Sequence, residues 1–282
     1  MFYFSGQEID SFINEDLPYF DLTTNLAGLK GQKVELSFVS RDDGILSSTE
    51  ESAMVFRKLG CEIVGIRNSA DNISAGESIL NVVGRAENIL SGWKVAQNIL
   101  EYASGIATLT DKVVKSAKNI NQSIQIVATR KTMPGAKKML VKAIVAGGAM
   151  PHRLGLSESI LFFAQHIELI GGWQKFVAKF DEIKSRAGEK KIIIEVEDLQ
   201  GAIDAVSIGV DIVQIDKVKP CEAKKITEQI KKQNSLILVS IAGGINLSNV
   251  VDYAGTGADI LVTSALYHAK PLDITTKILL TE

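Results

Sequence analysis

The sequence predicts an α/β barrel preceded by a smaller α+β domain. From about residue 120, short runs of Ile, Val and Leu alternate with helical segments. The runs show little polar alternation, which is typical of parallel strands buried on both faces. About six such strand–helix units favour closure into a barrel over an open doubly wound sheet. A dinucleotide-binding sheet is disfavoured because no Gly-x-Gly-x-x-Gly follows the first run.

The first part of the chain mixes strand and helix patterns without a regular repeat. Strands are predicted at 33–40, 61–66 and 78–83. Helices are predicted at 49–59 and 89–118, the second interrupted near Ser104-Gly105. We therefore assign residues 1–110 to an N-terminal α/β sandwich domain, and the C-terminal tail 268–282 is a candidate addition to it.

Residues 111–267 carry the repeating pattern and form the predicted barrel domain. The predicted strands are 124–128, 167–170, 192–196, 212–215, 236–241 and 260–262. The predicted helices are 136–146, 174–186, 199–207, 221–233 and 247–253. In such barrels the chemistry gathers at the carboxyl ends of the strands, so the residues just after each run are the candidate site residues.

Composition limits the classes of partner. The chain has 282 residues and a net charge of −2, so no overall basic field attracts nucleic acid or an anionic membrane. The two cysteines match no metal-ligand spacing, and a reducing cytoplasm fits them. The N-terminus lacks a signal-peptide pattern, and no apolar run is long enough to span a membrane. We expect a cytoplasmic protein with small-molecule ligands.

A local cluster of cations is the most informative feature. The run 124–128 leads directly into Arg130 and Lys131, and His152-Arg153 follows farther along the chain. Gathered at one strand end, these groups would bind an anion. Taken alone, Arg130 and Lys131 are slightly more typical of surface charges after a strand than of an anion site.

The other strand ends carry carboxylates and small polar residues. In chain order these candidates are Glu195, Asp216, Ser240, Gly243-Gly244 and Thr263-Ser264. Two carboxylates can hold Mg²⁺ or stabilise a developing positive charge. A glycine pair ahead of a helix can hold a phosphate. The combination suits a sugar-phosphate diphosphate substrate.

These residues and their spacing resemble the quinolinate phosphoribosyltransferase family over nearly the whole chain. The strongest signals are Thr129-Arg130-Lys131-Thr132-x-Pro134-Gly135 and His152-Arg153-Leu154 at this separation. Supporting segments are 15–24, 98–108, Glu195-Val196-Glu197, Asp216 and Gly243-Gly244. Segments 146–153 and 163–166 are similar to the ModD branch, which is associated with molybdenum transport.

The resemblance implies an N-terminal sandwich followed by an open, irregular barrel, working as a homodimer with shared active sites. It implies transfer of phosphoribose from phosphoribosyl diphosphate, with Mg²⁺, to the ring nitrogen of quinolinate, giving nicotinate mononucleotide, diphosphate and CO₂. Arg130, His152 and Arg153 would grip the acceptor's carboxylates, and Lys131 would contact the phosphoribosyl diphosphate. Glu195 and Asp216 would lie next to the ribose and its metal. Gly243 and Gly244 would border the phosphate.

The chain departs from the family pattern at four positions. Lys94 stands where the family has an arginine that reaches into the partner's site, and Phe163 replaces a lysine. Ser240 and Ala242 occupy the positions at which the family has a glutamate and a serine. We therefore expect the phosphoribosyl side to be kept and the acceptor to differ from quinolinate.

Two other functions stay open from the residues alone. One is a barrel lyase that forms a Schiff base on Lys131 or Lys217. The other is a binding protein that holds an oxyanion such as molybdate with Arg130, His152 and Arg153. Glu195 and Asp216 argue against the second, because carboxylates repel an oxyanion.

Overall fold

The computed structural model describes residues 2–281, which form two compact units. The first unit contains the chain up to residue 111, residues 133–148 and the chain from 267 onward. The second contains residues 112–132 and 149–266.

The helices are α1 (Gly6–Asp16), α2 (Leu22–Leu26), α3 (Thr49–Lys58), α4 (Ala86–Lys118), α5 (Lys137–Ala146), α6 (Ala164–Ile170), α7 (Trp173–Ala187), α8 (Leu199–Ser207), α9 (Pro220–Gln233) and α10 (Val250–Ala254). The strands are β1 (Lys33–Ser40), β2 (Gly44–Ile45), β3 (Glu62–Ile66), β4 (Asn72–Ile73), β5 (Ser78–Arg85), β6 (Gln125–Ala128), β7 (Met150–Pro151), β8 (Ile160–Phe162), β9 (Ile192–Val196), β10 (Ile212–Asp216), β11 (Leu238–Ala242), β12 (Ile260–Thr263) and β13 (Ile274–Leu280). A 3₁₀ turn covers Ala265–His268.

The first unit is built on an antiparallel sheet with strand order β13-β1-β5-β3. Alternation along β1 buries Val34, Leu36 and Phe38. The Phe38 ring lies 5.8 Å from that of Phe56 on α3. The tail of the chain belongs to this sheet, because β13 pairs with β1 over its whole length.

The predicted interruption at Ser104-Gly105 is wrong, since α4 runs unbroken through both residues. A Cβ on Gly105 would lie 2.1 Å from the Lys270 carbonyl oxygen, so the glycine permits close approach of the chain's last segment. The Ser104 hydroxyl accepts a hydrogen bond from the Ser47 amide at 3.0 Å. The pair therefore marks a contact on the helix and not its end.

Helix α5 is tied into the first unit by a buried ion pair. Lys142 is 7% exposed, and its Nζ lies 2.5 Å from Oε2 of Glu51 on α3, which is 2% exposed. A second carboxylate, Glu50 Oε2, lies 2.7 Å away. Burial raises the pKa of Glu50, but hydrogen bonds from Lys142 and Ser69 outweigh it and hold that pKa at about 2. The cation is thus fully neutralised, as a buried charge requires.

The second unit contains a parallel sheet with strand order β7-β6-β12-β11-β10-β9-β8. The predicted α/β barrel, open and irregular, is confirmed. Among residues 2–281 no ladder joins β7 to β8, so the sheet stays open there and does not close. Both edge strands are short, with two and three residues.

Two predicted elements of this unit are wrong. Residues 167–170 belong to helix α6, and strand β8 takes the expected strand position instead. Leu169 is 89% exposed, so the apolar run lies along a helix and is not a buried strand. The helix predicted at 247–253 begins only at Val250, because Asn246 first forms a turn in which its side chain accepts from the Ser248 amide at 2.9 Å.

Candidate functional site

The register of the parallel strands brings three of the predicted site residues, Glu195, Asp216 and Ser240, to one face of the sheet. Glu195, Gln214 and Ser240 are paired partners on β9, β10 and β11. Asp216 and Ala242 form the next row on that face, because side chains two residues apart in a strand point the same way. Ala242 packs there with Val127 of β6 and Val262 of β12. The carboxyl end of this face is therefore the candidate active site.

Glu195 and Asp216 form a carboxylate pair on adjacent strands. Burial, and next the charge of Asp216, raises the pKa of Glu195 above its usual range. The amide of Gln214 opposes this by donating from Nε2 to Glu195 Oε2 at 2.8 Å. Asp216 is 9% exposed and accepts a hydrogen bond from Lys217 Nζ at 2.6 Å. Two hard-oxygen ligands and a nearby ammonium thus share this edge.

Arg130, His152 and Arg153 form a cationic cluster at the ends of β6 and β7. The His152 amide donates to the Ala128 carbonyl at 2.8 Å, which continues the ladder between these strands. Burial, followed by the charges of Arg153 and Arg130, lowers the pKa of His152 to about 4. The imidazole is therefore neutral at pH 7 and can donate one hydrogen bond beside two permanent cations.

The Arg153 guanidinium is the buried member of this cluster. It is 7% exposed, and its Nη1 donates to the Ser159 carbonyl at 3.5 Å. Its Nε has no hydrogen-bond partner in the part of the chain that the structure describes. Burial lowers the pKa of Arg153, and the charge of Arg130 adds to the effect. A carboxylate or another anion would relieve both the repulsion and the unpaired donor.

The glycine pair forms a tight loop after β11. Gly243 and Gly244 have φ values of 98° and 72°. A Cβ on Gly243 would lie 2.6 Å from the amide nitrogen of Lys217, so this residue lets two strand ends approach each other. Thr263 supports the same loop, because its Oγ1 donates to the Ile245 carbonyl at 2.5 Å. Since α10 begins only at Val250, a phosphate would meet loop amides here and not the start of a helix.

The other predicted site residues occupy separate places. Phe163 directly follows β8, packs on the apolar cluster of Leu161, Ile193 and Ile212, and stacks on His166 with 5.6 Å between ring centres. Lys131 is exposed after β6, and Ser264 is half-buried after Thr263. Lys94 lies on α4 of the first unit, where its Nζ donates to Gln97 Oε1 at 3.0 Å.

Gln214 lies on the candidate site's face and is not among the residues predicted from the sequence. It is 3% exposed and contacts Glu195 directly. The signal was available, because a glutamine in the otherwise apolar run Ile212-Val213-Gln214-Ile215 has to be buried with a polar partner.

The residues fit a magnesium ion bound together with a substrate. Across residues 2–281 no group of three or more His, Cys, Asp or Glu side chains could hold a metal by itself. Mg²⁺, however, is commonly bound through one or two carboxylates plus substrate phosphates, and Glu195 and Asp216 offer that donor set. Among residues 2–281, no helix is both long enough and apolar enough to cross a membrane.

Comparison with known proteins identifies two matching domain families. The N-terminal domain of quinolinate phosphoribosyl transferase matches residues 21–104, and the C-terminal domain matches residues 106–277. A Pasteurella multocida (strain Pm70) protein named ModD is 34% identical over 277 residues, covering 97% of each chain. The solved nicotinate-nucleotide pyrophosphorylase from Francisella tularensis has a TM-score of 0.87 at 25% identity, covering 97% of this chain and 95% of that one. The Ehrlichia chaffeensis structure, at 23% identity, has the same fold with a TM-score of 0.89 and covers 98% and 99% of the two chains.

Proposed function

This chain belongs to the quinolinate phosphoribosyltransferase family, and we propose that it transfers phosphoribose from phosphoribosyl diphosphate to an aromatic acid. The observation that carries the proposal is the shared edge of one parallel sheet. That edge holds the cationic cluster of Arg130, His152 and Arg153 together with the carboxylates Glu195 and Asp216. An aromatic acid needs cations to bind its carboxylate, and a sugar diphosphate needs carboxylates to hold its metal. The reaction between them needs both groups at one site.

The cationic cluster would bind the acceptor. Two guanidiniums can hold a carboxylate through charge-assisted hydrogen bonds, and the neutral His152 adds a donor or an acceptor without adding charge. Holding the ring at a fixed distance from the sugar lowers the entropy cost of the bimolecular step.

Glu195 and Asp216 would act on the ribose. Departure of diphosphate leaves positive charge on the sugar, which adjacent carboxylates stabilise. Bound Mg²⁺ would supply neutralisation of the leaving diphosphate, and Glu195 and Asp216 are the residues that would hold it. Loop amides at Gly243 and Gly244 would donate to the phosphate, and Lys131 would add an exposed cation.

The acceptor we propose carries fewer carboxylates than quinolinate or carries them elsewhere. Phe163 has an apolar ring where the family has a lysine. The ring is held in place by packing on Leu161 and by stacking on His166. The family reaction that converts quinolinate to nicotinate mononucleotide, diphosphate and CO₂ for NAD biosynthesis is the nearest reference reaction. A link to molybdenum is part of the proposal only through the similarity to ModD.

We place the enzyme in the cytoplasm as a homodimer with shared sites. The free thiols Cys61 and Cys221, the second exposed, support a reducing compartment. The dimer follows from the family resemblance, in which the residue at the Lys94 position reaches the partner's site. Sedimentation of the wild-type chain tests the dimer.

The Schiff-base alternative is disfavoured at Lys217. The hydrogen bond and charge of Asp216 raise the pKa of this lysine, so its amine stays protonated and is a poor nucleophile. Borohydride trapping with a carbonyl substrate, which leaves an adduct only on an imine-forming enzyme, separates the two classes.

The decisive test is diphosphate release from phosphoribosyl diphosphate and Mg²⁺ across a panel of pyridine and purine-like acids. Glu195→Ala and Asp216→Ala should reduce turnover far more than they weaken acceptor binding. Glu222→Ala, an exposed carboxylate on α9, is the control and should leave turnover unchanged. Wild-type turnover in both site variants would refute the mechanism. Calorimetry with molybdate in place of the sugar diphosphate tests the oxyanion-binding alternative.

A further inference from the structure

Three hydrogen-bonding side chains lie next to one another across the middle of the parallel sheet. Glu195 on β9 is paired in register with Gln214 on β10, which is paired with Ser240 on β11. We call these three residues the polar shelf. The shelf lies on the same face as Asp216, one row deeper in the sheet. Parallel strands covered on both faces normally place apolar residues in such a row, so the shelf needs a physical reason.

Two of the three shelf residues are buried, and the hydrogen bonds of the shelf are incomplete. Gln214 is 3% exposed and Ser240 is 0% exposed. Gln214 uses Nε2 to donate to Glu195, but its Oε1 has no partner among the described residues, and neither does Ser240 Oγ. Buried polar groups without partners are rare because they have given up water and gained nothing in return. Two of them in adjacent strands point to a ligand that completes them.

The chemistry of the shelf selects the kind of ligand group. A carboxylate, an amide oxygen and a hydroxyl oxygen are all acceptors, and the shelf contains no cation. A carboxylate of the aromatic acid would be repelled by Glu195, whereas the cationic cluster attracts it. A sugar hydroxyl donates one hydrogen bond, which any one of these three oxygens can accept, and its own oxygen can accept from the Ser240 hydroxyl.

We infer that the polar shelf binds a ribose hydroxyl of the sugar diphosphate, with Gln214 both accepting from that hydroxyl and orienting Glu195. The inference rests on the proposed function and adds Gln214 and Ser240 to its sugar site. It predicts that these two residues select for a ribosyl over a deoxyribosyl donor.

Calorimetry of the full chain with phosphoribosyl diphosphate and Mg²⁺ tests this directly. Gln214→Met, which keeps length but removes both hydrogen-bonding atoms, should bind about tenfold more weakly, or about 1.4 kcal/mol. Gln200→Met is the matched control, because Gln200 makes an exposed amide–carboxylate bond to Asp204 at 2.9 Å and should bind as wild type does. Failure of the wild type to bind the sugar diphosphate would instead refute the proposed function.

Donor analogues that each lack one ribose hydroxyl identify the contact. One analogue should bind wild type about tenfold more weakly than the parent compound and should show no further loss against Gln214→Met, because the contact is already gone. Equal losses for every analogue in both proteins would overturn the inference.

Ser240→Ala separates binding from structure. Removal of an unpaired buried hydroxyl should leave the melting temperature the same or higher, while binding of the sugar diphosphate weakens several-fold. A lower melting temperature with unchanged binding would show that Ser240 contributes to packing and would overturn the inference that it binds the sugar. This variant also decides the case if Gln214→Met does not fold.

Discussion

The two adjacent glycines after β11 give a sharp prediction, because their surroundings differ although both have positive φ. Gly243→Ala places a Cβ 2.6 Å from the amide nitrogen and 2.8 Å from the Cα of Lys217. Gly244→Ala meets no atom within 4 Å. The second substitution therefore isolates the cost of the backbone conformation, and the first adds a clash with a neighbouring strand end.

The expected costs follow from these contacts. A non-glycine residue at positive φ costs roughly 1–2 kcal/mol, which is the expected loss of unfolding free energy for Gly244→Ala. Gly243→Ala has a less favourable φ, 98° against 72°, and cannot relieve a backbone contact by rotating a side chain. We expect its total cost to be about 2–5 kcal/mol, because overpacking adds roughly 1–3 kcal/mol to the backbone cost.

The clash also predicts a functional difference. The Lys217 amide, which bonds to Ala242 at 2.9 Å, has to move, and Asp216 is its neighbour in the chain. Gly243→Ala should thus weaken binding of phosphoribosyl diphosphate more than Gly244→Ala does. Urea unfolding and calorimetry on both variants measure the two effects. Equal destabilisation by the two substitutions would refute the packing argument.

Three further predictions concern single side chains. Phe163→Lys should improve quinolinate binding by about ten- to a hundred-fold, roughly 1.5–3 kcal/mol, relative to the neutral control Phe163→Met; no change would place residue 163 outside the acceptor pocket. His152 has a folded pKa of about 4, below its unfolded value, so unfolded chains bind the extra proton and stability falls as pH drops from about 6.5 to 4. His152→Asn should remove up to about 3 kcal/mol of that decline in urea unfolding, and an identical pH slope in both proteins would contradict it. Lys142→Met should cost about 3–5 kcal/mol by leaving Glu51 buried and unpaired, and adding Glu51→Leu should recover much of the loss.

The buried strands could be predicted from the sequence because they are apolar and unambiguous. The predicted strand 192–196 and helix 199–207 match β9 and α8 residue for residue. The predicted helix interruption at Ser104-Gly105 was wrong because a glycine that allows another segment to approach closely resembles a helix break when only the sequence is known. The run 167–170 misled because Ile167 and Ile170 also fit one face of a helix, and Gly171-Gly172, both at positive φ, end that helix.

The arrangement of the candidate site could not be predicted from the sequence. Each residue at a strand end could be listed from the sequence, but which of them face one another depends on strand order. Glu195 and Gln214 are neighbours only because β9 pairs with β10 in a specific register. The pKa of His152 likewise depends on its burial and then on the charges of Arg153 and Arg130, and spacing along the chain determines neither the burial nor the approach of Arg130.

The departures from the family pattern redistribute charge within the site. Phe163 removes a positive charge and Ser240 removes a negative one. Phe163 packs against Ile193 and Ile212, which share a strand face with Glu195 and Gln214, so both changes fall on the same face of the sheet. With Phe163 and Ser240 in the site as we propose, the net charge of the family pattern is kept, and the positive charge lies at the cationic cluster. An acceptor whose charge is confined to one end satisfies this arrangement, since its apolar remainder can lie against Phe163. A second carboxylate on the opposite side of the acceptor's ring would lie against Phe163. It would lose its hydration without gaining a counter-charge, so such an acceptor would bind more weakly.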